Sequence, residues 1–186
     1  MKFFSKIKGL ILLLIASVVW GATFVPQKIA MLHWSPLQFT SFRFLIGGII
    51  LLLFINFSSK RIKNIREFLF FCTLSGFLLA LAALTQQIGI VHTTATNAGF
   101  YTSLYILIVP IIGLFLFRSI HWSVFPSIII CFTGSLLLSS SGDTISLSNI
   151  QSGDLWIIFS AVFWAIHLHI ISYSVSKFAI FKFLFG

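Results

Sequence analysis

From Phe68 to Phe117 the chain contains no Asp, Glu, Lys or Arg. A bilayer core about 30 Å thick is crossed by ~20 apolar residues in a helix, so this stretch is too long for one span and long enough for two. The polar patch His92-Thr93-Thr94-Ala95-Thr96-Asn97 divides it. The rest of the chain follows the same plan. Hydrophobic residues make up 59% of it and charged residues 8%, against roughly 25% charged in soluble domains. A soluble enzyme or a disordered protein is excluded by that lack of polar surface. The reading is an all-α integral membrane protein in contact with the lipid bilayer. About six transmembrane helices are predicted, at 9–32, 36–57, 67–91, 95–117, 121–140 and 154–176. Cys72 and Cys131 both lie in apolar runs, which implies no disulfide framework and no CxxC metal site.

The net charge of +9 on its own would point to nucleic acid. Its placement points to a membrane. Lys2, Lys6 and Lys8 precede the first span, and Lys60, Arg61, Lys63 and Arg66 join the second to the third. Arg118 joins the fourth to the fifth, and Lys177 and Lys182 follow the sixth. The alternate connections, 32–35, 91–95 and 141–153, hold no Lys or Arg. This is the positive-inside pattern; it puts both termini in the cytoplasm and gives no nucleic-acid partner. The basic N-terminus followed by an apolar run also fits a signal peptide. The run is longer than a usual signal core and no A-x-A-like site interrupts it, so cleavage is not expected.

Two cations remain inside spans, Lys28 and Arg43. Counted outward from the short connection at Leu32-His33-Trp34-Ser35, both fall in the outer half of the membrane. No acidic residue is expected in any span centre, since Glu67 lies at the inner edge and Asp143 and Asp154 are assigned to the outside. Charges in a bilayer face a bundle interior or a wet cavity. One reading is that Arg43 and Lys28 attract an anionic or carboxylate-bearing solute. The other is that they snorkel to headgroups or bond to helix-end carbonyls. Gln27, Gln38, Thr85, Gln86, Gln87 and Asn97 share that depth, as an outward polar vestibule or as ordinary interhelical hydrogen bonding. Trp20, Phe24 and Lys28 lie four apart on one helix face, an aromatic wall leading to a cation or a packing stripe. Ala95, Gly99 and Ser103 form a small-xxx-small stripe for close helix approach. Pro26 and Pro110 lie inside spans and are expected to bend them.

Motifs for ATP hydrolysis, for a Ser nucleophile, for a zinc protease and for a dinucleotide are absent, so no enzyme activity and no cofactor are expected. His167 and His169 are two apart on a helix and cannot chelate one metal. The outer residues His33, His92, Asp143 and Asp154 are the one group able to gather a metal or to serve a lipid-modifying enzyme. Solvated loop residues explain them equally well, and no metal site is assigned.

Trp20-Gly21-x-x-Phe24-x-x-x-Lys28, then Pro36, then Arg43-Phe44 resembles the start of an EamA-type domain in the drug/metabolite transporter superfamily. Thr93 to Pro110 is similar to that family's fourth helix, as are Gly134 in the fifth span and Gly153-Asp154-Leu155 at the opening of the sixth. The resemblance implies two five-helix repeats of opposite orientation. Trp164-Ala165 sits in the sixth span where Trp20-Gly21 sits in the first. Residues 9–140 would then be the first repeat, 154–176 the first helix of a second, and 177–186 a short cytoplasmic tail. Two departures stand out. Phe117-Arg118-Ser119 lacks the acidic residue common after the family's fourth helix, and four helices of a second repeat are not in the sequence. A truncated or decayed copy, one of a pair of partner chains, and a fragment of a longer protein all fit that length.

The resemblance implies a transporter in a bacterial cytoplasmic (inner) membrane, moving a small organic, anionic or zwitterionic metabolite or drug-like solute by alternating access. Arg43 and Lys28 would contact its anionic group, and Trp20, Gln87, Asn97 and Tyr101 would line the cavity. A homodimer or a second membrane chain would complete the fold. The alternative is a non-transporting remnant or a structural partner subunit.

Overall fold

The computed structural model describes residues 2–53, 64–116, 122–140 and 151–178. Lys60, Arg61, Lys63, Arg118, Asp143 and Lys182, and most of the 177–186 tail, lie outside the described residues. The described residues form eight helices and no strand: α1 (Lys2–Ala22), α2 (Phe24–Ala30), α3 (Pro36–Leu52), α4 (Ile65–Val91), α5 (Ala95–Ser103), α6 (Tyr105–Phe115), α7 (Val124–Ser140) and α8 (Ser152–Lys177). Two of the expected spans are therefore broken rods, α1–α2 and α5–α6. Four segments are long and apolar enough to cross a membrane, Ile7–Ala30, Ile65–Val91, Ala95–Phe115 and Ser152–Lys177. The apolar helices Pro36–Leu52 and Val124–Gly134 are shorter; the 17 residues of α3 rise about 26 Å.

Local chemistry sets the helix starts. Ser35 accepts from the Gln38 backbone N–H, Gln38 returns a bond to the Ser35 backbone, and Pro36 takes the first helical position of α3, where its missing N–H costs nothing. Asn64 caps α4 through the Glu67 N–H, and Thr94 caps α5 through the Asn97 N–H at 3.0 Å. The polar patch at 92–97 thus ends one helix and starts the next. The break in the first rod falls at Thr23, which leaves Pro26 in the first turn of α2, where a proline is tolerated. The second break falls at Leu104, six residues ahead of Pro110, which stays inside α6.

An antiparallel pair, α4 and α8, forms the spine. Helices α5 and α6 also pack on α8, α3 and α2 pack on α4, and α7 packs on α5. The spine is closed at both ends. At the end where α4 stops and α8 begins, two glycines let the backbones touch. A Cβ on Gly89 would lie 2.7 Å from the Gly153 carbonyl oxygen, and one on Gly153 would lie 2.6 Å from the His92 carbonyl carbon. Beside that crossing, Phe24, Ile90, Ala98 and Ile157 bring α2, α4, α5 and α8 into one apolar cluster. The stripe on α5 contributes here, because the Phe24 ring lies against Gly99. At the far end Phe68, Cys72 and Phe178 form a second cluster, and Lys177 bonds to Glu67. Between the two, Ser75 Oγ lies 3.3 Å from His167 Nδ1.

The periphery is apolar outward. Along α1 Leu12 and Leu13 are 66% and 67% exposed, the surface a helix presents when its solvent is hydrocarbon. With no hydrophobic drive between helices in lipid, close approach at small residues is what holds them together. Gly153→Ala is therefore expected to destabilise the fold by about 1–3 kcal/mol, the usual effect of overpacking. Gly134→Ala, with nothing within 4 Å of the added carbon, is expected to be neutral. Heating the detergent-solubilised chain and following its monodisperse fraction compares the two; equal midpoints would contradict the crossing.

Candidate functional site

The break at Thr23 organises a polar relay. Thr23 Oγ1 donates to the Trp20 carbonyl at 2.6 Å, Gln27 Nε2 donates to Thr23 Oγ1 at 3.0 Å, and Arg43 donates to Gln27 Oε1 at 2.9 Å. Pro26 has no N–H for the Ala22 carbonyl, and at this break the side-chain bonds add to the backbone bonds from the Thr23 N–H to the Trp20 carbonyl and from the Gln27 N–H to the Thr23 carbonyl. Arg43 stands about 10 Å along α3 from Pro36. Its guanidinium lies 5.6 Å and 5.2 Å from the ring centroids of Phe39 and Phe44, close enough for cation–π attraction. Among the described residues Arg43 has no carboxylate partner. Its positive charge is solvated by one neutral amide and two ring faces.

Lys28 has a different environment. Its ammonium donates to the carbonyls of Ile90 and Val91, both at 2.9 Å. These are the last two residues of α4, whose carbonyls have no partner within the helix, and a cation there also meets the negative end of the helix dipole. Of the two readings of Lys28, the contact observed is the bond to helix-end carbonyls.

Trp20 meets two residues that the sequence did not single out for the site. Its ring lies 5.2 Å, edge-on, from Trp164 and stacks at 6.3 Å on Tyr105. Trp164 was noted only as the counterpart of Trp20, so the two indoles at equivalent places in the first and sixth spans are in contact. The Trp164 indole N–H is buried without a partner among the described residues. Phe24, on the same face as Trp20, is taken up by packing in the apolar cluster. Trp20, Phe24 and Lys28 therefore share a face and do three separate things.

The remaining residues of interest gather near the start of α5. Gln87 is fully buried, and both of its amide atoms lack partners among the described residues. Gln86 beside it donates to the Thr102 hydroxyl at 2.9 Å, so one glutamine packs α4 to α5 and the other is left with its hydrogen-bonding capacity unused. Tyr101 packs against the Phe24–Ile157 cluster, and the half-buried Asn97 occupies the first turn of α5. The structure thus puts Lys28, Gln87, Asn97 and Tyr101 at one end of the bundle, Arg43 with Gln27 on the α2–α3 side, and Trp20 deeper with Trp164.

One expectation is corrected. Asp154 does not lie solvated in an outer loop: it is 1% exposed, accepts from the Thr93 hydroxyl and from the Gln151 backbone N–H at 2.9 Å. The capping turn of α8 carries it inward. His33 and His92 are exposed, and the described residues contain no group of three or more His, Cys, Asp or Glu able to hold a metal. Of the paired histidines, His167 faces Ser75 on α4 and His169 Nε2 bonds the Val109 carbonyl of α6 at 2.9 Å. A carbonyl only accepts, so His169 carries its proton on Nε2. Pro110 leaves the Ile106 carbonyl without its helical donor. Ile106 lines a shallow crevice with Ser103, Leu107, Ile128, Cys131 and Phe132, an apolar place with no cation.

Residues 7–140 match the sequence profile of the EamA-like transporter family. The chain is similar to an uncharacterized transporter of Archaeoglobus fulgidus, at 29% identity over 87% of this chain and 48% of that protein. It is also similar to the uncharacterized inner membrane transporter YedA of Escherichia coli K12, at 27% identity over 80% of this chain and 48% of that protein. The chain thus spans about half the length of the curated relatives it matches. No solved structure matches it.

The Lys28 geometry carries a prediction that separates anchoring from solute contact. Lys28→Met keeps the stem and removes the ammonium, and leaves two carbonyls at the end of α4 without donors. A loss of about 1.5–3 kcal/mol is expected, the size of a hydrogen bond to a charged group, read as a lower unfolding midpoint in detergent with no solute present. An unchanged midpoint would show that the ammonium does not hold the end of α4.

Proposed function

The chain belongs to the EamA-like transporter family, and from that premise we propose that it serves as a multi-pass transporter of a small organic solute in a cytoplasmic (inner) membrane. The solute is anionic or zwitterionic. The observation that carries this reading is Arg43, a guanidinium inside the bundle whose partners are the Gln27 amide and the rings of Phe39 and Phe44. A half-buried cation without a carboxylate partner among the described residues retains unused donors and a field that attracts an anion. Trp20, exposed on α1, and the half-buried Tyr105 and Trp164 supply a continuous aromatic surface for the apolar part of the solute. Gln87 and the Trp164 N–H are buried polar groups able to bond it. Asn97 and Tyr101 stand beside the entry to α5. Lys28 acts by holding the end of α4 that borders this space, and its field adds to that of Arg43.

In this reading residues 9–140 are one five-helix repeat and 154–176 the first helix of a second, inverted one. Support comes from the extent of the family match and from the contact between Trp20 and Trp164. Alternating access follows from the rocking of one repeat against another around a fixed site. Six spans with cytoplasmic termini fit the basic residues at alternate connections. A second copy of the chain or another membrane chain completes the enclosure.

The test uses purified chain in proteoliposomes incubated with a cell metabolite extract, with the internal contents read by mass spectrometry. Solutes enriched by the unaltered chain are expected to be anionic or zwitterionic. Arg43→Ala is expected to lower their entry by roughly 10- to 100-fold at equal protein per vesicle, the equivalent of one charge-assisted hydrogen bond. Arg43→Lys, a charge without the fork, is expected to fall between. Equal entry with Arg43→Ala would remove the residue from the mechanism.

A further inference from the structure

The relay from Trp20 to Arg43 is fixed in direction at both ends. At one end stands the Trp20 backbone carbonyl, which only accepts, so the single hydroxyl proton of Thr23 goes to it at 2.6 Å. The Thr23 oxygen is left to accept, and the Gln27 atom that meets it at 3.0 Å is the donating Nε2. At the other end stands a guanidinium, which only donates, and Arg43 Nη1 bonds Gln27 Oε1 at 2.9 Å. A turned amide would set N–H against N–H at Arg43, and at Thr23 an oxygen against an oxygen whose proton is engaged elsewhere. Gln27 therefore has one orientation. At 4% exposure it is more deeply buried than the half-buried Arg43.

Among the described residues the bond to Gln27 is the one hydrogen bond that Arg43 makes. It engages Nη1, on the Cδ side of the guanidinium. The Nε–H and one Nη2–H point the other way, side by side. The rings of Phe39 and Phe44, at 5.6 Å and 5.2 Å, attract the charge and carry no oxygen or nitrogen acceptor. Two parallel N–H groups match two oxygens on one centre, as in a carboxylate or a phosphate. A halide meets them with one atom. The amide at position 27 matters for a second reason. A carboxylate there would pair with the guanidinium and cancel its charge, whereas an amide holds the group and leaves the charge whole.

We propose that Gln27, locked by Thr23, is the positioning residue of the anion site and sets its specificity. It holds Arg43 by Nη1, leaves the Nε–Nη2 edge for the solute, and admits a two-oxygen anion because it brings no charge of its own. Thr23 acts through Gln27 by fixing the amide. The break in the first rod supplies the lock, since the Trp20 carbonyl that Thr23 engages lies at that break. This role rests on the reading of Arg43 as the site of the solute's anionic group. It adds to that reading the edge that binds, the kind of anion that fits it, and the residues that keep the edge in place. Binding at the edge needs no transport.

The test uses the full chain, carrying nitrogen-15 arginine, in dodecyl maltoside micelles, which bear no anion. The Arg43 Nε–H resonance is identified by its absence in Arg43→Lys. The probes are sodium benzoate, phenyl phosphate, sodium chloride and the neutral benzamide, at equal ionic strength. Benzoate and phenyl phosphate are expected to move the resonance downfield to saturation, and chloride and benzamide to leave it in place. Thr23→Val, which keeps the shape and frees the amide, is expected to weaken benzoate binding by roughly tenfold, and Gln27→Glu by roughly 100-fold, the range of a hydrogen bond to a charged group. Thr23→Ser, which keeps the hydroxyl, is expected to bind as the unaltered chain does. A merely structural role for Thr23 would lower the unfolding midpoint of Thr23→Val and leave the benzoate affinity of the folded chain unmoved. No shift with either two-oxygen anion in the unaltered chain, or equal benzoate affinity in Gln27→Glu, would overturn the proposal. A shift with added phosphatidylglycerol and none with benzoate would give the edge to a lipid headgroup and overturn it as well. A chain that binds benzoate at Arg43 and moves no solute fails the transporter reading alone. One that moves anions while its Arg43 Nε–H ignores them fails the positioning role alone.

Discussion

A backbone in hydrocarbon has no water to complete its hydrogen bonds, so helix ends are the weak points of a membrane bundle. The contact between the end of α4 and the beginning of α8 answers that constraint, and the rest of the structure leans on it. Two glycines bring the backbones together. Lys28 closes the last carbonyls of α4 from a third helix, and Asp154 closes the first turn of α8 while bonding Thr93. Charged side chains placed at helix ends do here what water does in a soluble protein. Because these anchors come from α2, α4 and α8, the same contact fixes the packing of the first rod and so the place of Trp20 and Gln27.

Much of this architecture was legible in the residues. The charge-free run from Phe68 to Phe117 and the patch at 92–97 located α4 and α5, because a bilayer tolerates polar residues only where a helix can end. The apolar stretch from residue 36 located α3, while its Ser35 capping box is a finding of the structure. The stripe Ala95, Gly99, Ser103 marked a close approach, and Phe24 is what fills it. What sequence reasoning missed shares one physical cause. Asp154 was assigned to solvent because a carboxylate beside a Gly in a polar loop looks solvated; only the capping turn and the facing Thr93, sixty-one positions away, bury it. Lys28 offered two readings, since the carbonyls it meets belong to the backbone and carry no sequence signal. The contacts of Trp20 with Tyr105 and Trp164 are tertiary facts as well, though the repeat of Trp-small at Trp164-Ala165 was the available sign. The break at Thr23 falls where Pro26, marked as a bend in the sequence, removes a backbone donor; the one at Leu104, six residues ahead of Pro110, had no such sign because the residues on either side are equally apolar.

The two intramembrane cations show how position divides roles between like charges. Both stand on neighbouring rods near the same end of the bundle. Lys28, a flexible point charge, reaches backbone oxygens and is consumed by them. Arg43 carries a planar fork and finds one amide and two rings, a surrounding that solvates the charge without neutralising it. The difference follows from what lies opposite each: the open end of a helix in one case, the side of a helix with an amide at the right height in the other.

The meeting of Trp20 and Trp164 has a mechanical meaning. The first rod ends where α8 begins, so the two helices run in opposite directions and touch at equivalent residues. When two such residues are in contact, the axis that would exchange their helices passes between them. Points on an axis do not travel when the parts around it turn. In the inverted-repeat reading proposed above, the paired indoles would sit at a fulcrum: displacement would grow with distance from them, smallest at the aromatic contact and largest at the ends, where the Thr93–Asp154 bond closes one side and Glu67–Lys177 the other.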